Sequence, residues 1–315
     1  MRIVLALLSI LLVVGNVQAF QLKLVHKYRY SSYVSKVALG RGYLAVGFEN
    51  GTVQIRDFET NKLLYTIKLP FIHDFMGDKM AMPIYSLDIF GDKLLMLTQG
   101  ENQSRLLYLF DLKSHTLERV YHTKQTIMRA RFLSAVRVLF VTLADEVMYF
   151  DLKQKRITFK KQIGNYVFSA FSLNGTRNLL GLGDESGVVK VFDLGKKKLV
   201  AKVSGVNKDK TLAVSFWKDM VLNASVDEKV AVYNYRTGRV IASVDTKFLP
   251  YAAALKGNFA VYQVDEKDDL AVFNINDLSQ TQLLKGHTMP LIGMRFYKNY
   301  LVSYSPAEII VWAEK

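Results

Sequence analysis

The chain has 315 residues, half of them hydrophobic, with 42 Lys and Arg against 28 Asp and Glu and a formal charge of +14. It contains no cysteine, which excludes disulfides, thiol catalysis, cysteine-ligated zinc, iron–sulfur clusters and covalent haem attachment. A chain of this size buries roughly three quarters of the surface exposed by its unfolded form, so it needs no covalent staples.

The opening segment, MRIVLALLSILLVVGNVQAF, places Arg2 before an apolar run from Ile3 to Val14. That run is short for a membrane span and has the length of a secretory leader's core. Val17-Gln18-Ala19 is a small-residue cleavage site of the A-x-A type. Residues 1–19 are therefore expected to be a signal peptide, with the mature chain starting at Phe20. Export without disulfides suits a bacterial periplasm better than an animal secretory route. Loss of Arg2 takes the charge from +14 to +13. In the cytosol such a charge would point to nucleic acid. After export it points instead to acidic proteins or anionic lipid headgroups.

Residues 20–315 read as one domain of repeats. The segment ENGTVQIRDF at Glu49–Phe58 returns as DESGVVKVFDL at Asp184–Leu194. A unit of about forty residues repeated along a chain indicates a β-propeller. Each repeat reads as strands a and b, a tight acidic or Gly-containing turn, strand c, then strand d. Strand c ends in a recurring triplet: Ile55-Arg56-Asp57, Leu109-Phe110-Asp111, Tyr149-Phe150-Asp151, Val191-Phe192-Asp193, Val232-Tyr233-Asn234, Val272-Phe273-Asn274 and Val311-Trp312-Ala313. The fold class is thus all-β, a seven-bladed propeller, with the aromatic residues filling the space between blades.

The chain ends predict how the ring closes. The last repeat supplies strands a to c at Leu291–Phe296, Tyr300–Tyr304 and Glu308–Trp312, then stops without a strand d. An orphan strand, Gln21–Tyr28, precedes the first complete repeat. Placing that strand on the outer edge of the last blade closes the ring; an open ring would expose two blade faces.

Loop charge sorts by rim, because strands alternate direction within a blade. The b–c turns carry Glu49, Glu101, Asp145, Glu146, Asp184, Glu185, Asp227, Glu228 and Asp265–Asp269. The a–b and c–d turns carry Arg41, Lys62, Lys93, Lys113, Arg177, Lys218, Arg236, Arg239, Lys256 and Lys298, and are densest at Lys153, Lys155, Arg156 and Lys196-Lys197-Lys198. An acidic rim around the channel mouth and a strongly basic opposite rim are expected. Each position alone is accounted for by turn chemistry and solubility. Segregated as a set, they would orient charged partners.

The first interval between repeats is lengthened by the segment from Pro70 to Pro83. Its apolar Phe71 and Phe75 are expected over the channel mouth or in a contact surface. His73, Met76, Met80 and Met82 offer imidazole and thioether donors suited to Cu(I), although methionine more often fills space. Asp265–Asp269 offers carboxylates to calcium, without EF-hand spacing. No nucleophile elbow, HExxH, P-loop or dinucleotide fingerprint occurs. No catalytic residue and no cofactor are therefore expected, and a non-enzyme is the leading reading.

Val311-Trp312, Gly286-His287 and the turn Glu49-Asn50-Gly51-Thr52 are pieces of a known repeat. On them the chain resembles the WD40-repeat family over nearly all of its mature length, in degenerate form. The family's His–Asp–Ser–Trp hydrogen-bond set cannot be assembled in most blades. With the leader ending and the closing LLKGHTMPLIGMRFYKNYLVSYSPAEIIVWAEK, the chain is similar to periplasmic WD40-like accessory proteins of nitrate reductase systems. That resemblance implies an accessory role in maturation of the reductase or in its electron-transfer assembly, with a reductase subunit as partner. Two other functions stay open: an enzyme or small-ligand binder at an acidic channel mouth, and a copper handler acting through the insertion.

Overall fold

In the computed structural model the described residues are 20–315, and the proposed leader at 1–19 lies outside them. Seven four-stranded antiparallel sheets are arranged as blades. Blade one runs Val34–Gly40, Tyr43–Phe48, Thr52–Asp57 and Leu63–Lys68 from strand a to strand d. The a strands of the next five blades are Ile84–Phe90, Ile127–Ser134, Phe168–Leu173, Thr211–Trp217 and Ala253–Lys256, and that of blade seven is Gly293–Tyr297. The a strands of blades one to three and of blades four to seven pack successively against one another on the inner side of the ring, where a propeller has its axial channel. Among the described residues the helical structure is one short turn, Glu101–Gln103, and no helix is long and apolar enough to cross a membrane.

Blade seven is closed as the sequence predicts. Leu22–Arg29 pairs antiparallel with Glu308–Glu314, from Leu22 opposite Glu314 to Arg29 opposite Glu308. Leu22 is buried beside Leu284, Leu301, Ile310 and Trp312. Its backbone is also clasped by Gln282 of blade six, which accepts from Leu22 N at 2.9 Å and donates to Leu22 O at 2.6 Å. The first strand therefore fastens two blades at once.

The core is a set of wedges between blades. One wedge joins Val34, Leu44 and Phe58 of blade one to Val302, Ile309 and Val311 of blade seven. Another joins Phe132, Phe140 and Phe150 of blade three to Leu95 and Leu107 of blade two. Alternation along each strand sends successive side chains to opposite faces, so every blade feeds two wedges.

The recurring Asp or Asn after strand c has a local cause. Asp57 Oδ1 accepts from Thr60 N, Asp111 from Lys113 and Ser114, Asp151 from Lys153 and Gln154, and Asn234 from Arg236 and Thr237. Each side chain closes its own turn by satisfying backbone donors. Four residues further on the chain turns left-handed, at Asn61, His115, Lys155, Lys197, Gly238 and Leu278.

Two blades lock their edges with buried polar sets. In blade seven, Trp312 Nε1 donates to Ser303 Oγ at 2.9 Å, and His287 Nε2 lies 2.7 Å from the same oxygen. Glu308 accepts from Thr288 N at 2.7 Å and pairs with Lys27 at 3.2 Å. In blade five, Asn207, Ser225 and Tyr233 make a corresponding set, with Tyr233 OH donating to Asn207 Oδ1 at 3.0 Å. Burial pushes His287 down to about 4, outweighing the opposing pull of Glu308. An unfolded chain protonates this imidazole at its ordinary value, so the stabilisation is complete above about 6.5 and is lost as pH falls toward 4. Urea titrations at neutral pH and near pH 4 should show a loss of about 3 kcal/mol over that window. His287→Gln should start less stable and lose less over the same range.

Candidate functional site

The insertion between blades one and two folds as a small hairpin, Ile72–His73 paired with Lys79–Met80. Asp74 Oδ1 accepts from Met76 N and Asp78 N, each at 2.9 Å, and Gly77 takes a φ of 89°. This local closure leaves Phe75 93% exposed and Met76 73% exposed at the tip. Phe71 lies beneath Lys79, whose Nζ is 4.5 Å from the ring centroid.

The hairpin borders a cleft of about 650 Å³ lined by His73, Asp74, Phe75, Met80, Tyr85, Gln99, Asn102, Gln103 and Arg105. The Arg105 guanidinium lies 4.1 Å from the Tyr85 ring centroid and donates to the carbonyls of Gln103, Ser104 and Ile127. Asn102 and Gln103 have φ of 53° and 58°, consecutive left-handed positions without glycine. Strain of this kind persists where surrounding structure holds it, commonly at binding sites.

The four candidate copper donors are distributed across the hairpin. His73 Nδ1 is 3.0 Å from Glu101 Oε1. Met80 lines the cleft with His73. Met76 stands at the tip, and Met82 is 1% exposed within the wedge between blades one and two. Asp265 accepts from Lys267 N and Asp269 N, Asp268 accepts from Gln263, and Asp269 pairs with Lys285. That run closes its turn and anchors neighbouring strands, and among the described residues no three His, Cys, Asp or Glu converge on a point.

The expected acidic rim is weaker than turn composition implies. Asp145 and Asp184 are buried and both hold Lys190, whose Nζ is 2.7 Å from Asp145 Oδ2. Glu49, Glu101, Glu185, Glu228 and Glu266 remain exposed. The d–a loops bring exposed Lys124, Lys208, Lys210, Lys247 and Lys285 to the same rim. The a–b and c–d rim is likewise laced with pairs, including Lys113 with Asp92, Arg236 with Asp219 and Lys298 with Glu59. Arg177 is not a rim residue. It reaches from blade four past blade three to Asp88 of blade two, with Nη2 2.9 Å from Asp88 Oδ1 and Nη1 2.9 Å from Phe132 O.

The basic surface concentrates on blades three and four. Lys153, Lys155 and Arg156 occupy the c–d turn of blade three, and Lys196, Lys197 and Lys198 that of blade four; all are exposed. The two turns are neighbours: Lys197 Nζ lies 5.2 Å from the Phe159 ring centroid of blade three, and Lys161 reaches Lys197 O at 3.5 Å. Lys160, Lys161 and Lys202 extend the patch along the outer strands. Its carboxylates are Glu118 on Lys155, Glu146 on Lys160 and Asp193 on Lys196. Phe71 and Phe75 stand on the opposite rim, so the predicted contact residues form two separate surfaces. The tip's exposure and the patch's continuity were not readable from spacing alone.

No family model matches the chain, and no curated protein matches it. Among solved structures it is similar to the computationally designed Ika8 protein, with a TM-score of 0.66 and 16% identity, covering 93% of this chain and 100% of that one. This likeness establishes the fold alone. What the chain does rests on its own surfaces.

Proposed function

We propose that this chain is an exported, non-catalytic interaction scaffold that docks an acidic protein on the basic face of blades three and four. The observation that carries the reading is the continuity of that face across two turns and two outer strands. Lys155 and Lys197 occupy equivalent left-handed turn positions in the two blades, so the turn geometry presents both side chains on the same rim.

The finer assignment is an accessory protein of the NapL type in a periplasmic nitrate reductase system, with a reductase subunit as the acidic partner. The leader-like first segment and the degenerate WD40 features support it. The blade-seven set of His287, Ser303, Trp312 and Glu308 is the strongest of these. The partner's role would be recognition, with the propeller contributing position and no chemistry.

The test is co-purification from periplasmic extract. A reductase subunit should be retained at low salt, with affinity falling by about tenfold or more at high salt, because exposed charge is screened over about 10 Å. The variant Lys153→Glu/Lys197→Glu/Lys198→Glu should abolish retention and keep the wild-type melting temperature. Retention that is indifferent to salt and to these substitutions refutes the reading.

A further inference from the structure

The axis of the ring carries a second concentration of charge. Arg129 and Arg131 lie two residues apart on the a strand of blade three. Lys36 and Arg295 lie on the a strands of blades one and seven. Lys36, Arg129 and Arg131 are half-buried and Arg295 is exposed. They feel one another across the channel: Arg129 and Arg131 act on Lys36, and Arg129 and Arg295 act on Arg131.

Among the described residues no salt bridge pairs any of the four with a carboxylate. Asp88 is the acidic side chain facing Arg131 and Arg295. Its oxygens are already taken by Arg177 and by Phe132 N at 2.8 Å. Arg129 and Arg131 each donate to a neighbouring main-chain carbonyl, Met128 O at 2.8 Å and Ala130 O at 2.9 Å. The Arg295 guanidinium has no hydrogen-bond partner among the described residues, and its backbone pairs opposite Val302. Like charges held close together repel, and a bound counter-anion relieves that repulsion. Glu49 acts on Lys36, and the other contacts of the arginines are neutral: Arg131 donates to Ser86 Oγ, and Arg129 and Arg131 lie over the Phe168 and Phe171 rings. Four cations against two acids, one of them spoken for, leave an excess of positive charge.

We propose that the axial channel is a binding site for a small multivalent oxyanion, bearing several carboxylate or phosphate oxygens, held by Arg129, Arg131, Arg295 and Lys36. Tyr304 stands beside the three arginines and offers a hydroxyl. Guanidinium forks match such oxygens in pairs, and the low-dielectric walls strengthen each contact. Arg177 and Asp88 bridge blades two and four at the a–b end. The site is independent of the outer basic face, and either can fail without the other.

Calorimetry on residues 20–315 with citrate and with pyrophosphate tests the site, chloride serving as the control. One of the two anions should bind with one-to-one stoichiometry and raise the melting temperature. Which one does so separates a carboxylate from a phosphate ligand. Arg295→Gln should weaken binding at least about tenfold. Its ligand-free melting temperature should equal or exceed the wild type's, since repulsion is removed and no bond is lost. The outer-face variant Lys153→Glu/Lys197→Glu/Lys198→Glu should bind normally.

Burial, with Arg129 and Arg131 adding to it and Glu49 opposing, lowers Lys36 to about 8. Affinity should therefore fall as pH rises through that value, while the arginines stay charged. Absence of binding by both anions overturns the proposal. So does binding that survives Arg295→Gln and disappears in the outer-face variant.

Discussion

Lys190→Met is expected to destabilise the protein by about 3–5 kcal/mol, the effect of stranding buried charge. Lys190 is the cation between two carboxylates that solvent does not reach, Asp145 of blade three and Asp184 of blade four. Its removal leaves both acids without a counter-ion. The backbone packs close against the set: a Cβ on Gly164 would collide with Asp145 Oδ2 and Lys190 Nζ. Urea denaturation at neutral pH measures the loss.

The pH dependence gives a second handle. Burial raises Asp145, and the bond and charge of Lys190 pull it back. Without Lys190 only the raising influence remains. A carboxyl raised in the folded state adds stability below its unfolded value and withdraws it as pH climbs through the folded one. The variant's deficit should therefore be largest at neutral pH and shrink in mild acid. Asp145→Asn/Asp184→Asn/Lys190→Met should recover most of the loss, since replacing a whole buried ion set is often nearly neutral. A single variant as stable as the wild type would show that the ion set carries no net weight.

Deletion of residues 20–29 should abolish cooperative folding. The outermost strand of blade seven would vanish, exposing Trp312, Ile310 and Leu301 and leaving Lys27's partner Glu308 unpaired in the interior. The clasp of Leu22 on Gln282 would go with it. Losing several buried contacts and an ion pair together exceeds about 5 kcal/mol, comparable with the whole margin of an ordinary domain. Near-ultraviolet circular dichroism and gel filtration should report an expanded or aggregated chain. A synthetic peptide spanning residues 20–30, added in trans, should restore a sharp thermal transition. An undiminished melting temperature in the deletion would mean the ring is held elsewhere.

Blade number and ring closure are written in the sequence of this protein. Blade number followed from the c-strand triplets, because Asp57, Asp111 and Asp151 bond to donors two or three residues ahead. Such chemistry is local, so it leaves a periodic mark. Ring closure followed from a missing last strand and a spare first one, since an unpaired sheet edge has few stable alternatives. Strand boundaries in the last blade differ by about two residues, as end fraying allows.

Tertiary structure alone decided where the charges went. Asp145 and Asp184 sit in turns that look like solvated acidic loops, yet both face Lys190, 45 residues from Asp145. Arg177 reads as a rim cation and instead meets Asp88, 89 residues away. Met82, readable from sequence either as a thioether donor or as a space-filler, lies buried in a wedge. Lys36, Arg129, Arg131 and Arg295 come from three blades and show no spacing in common. Propensity and turn chemistry act between near neighbours and are written along the chain. A buried or channel-facing charge answers to partners that only ring closure brings within reach.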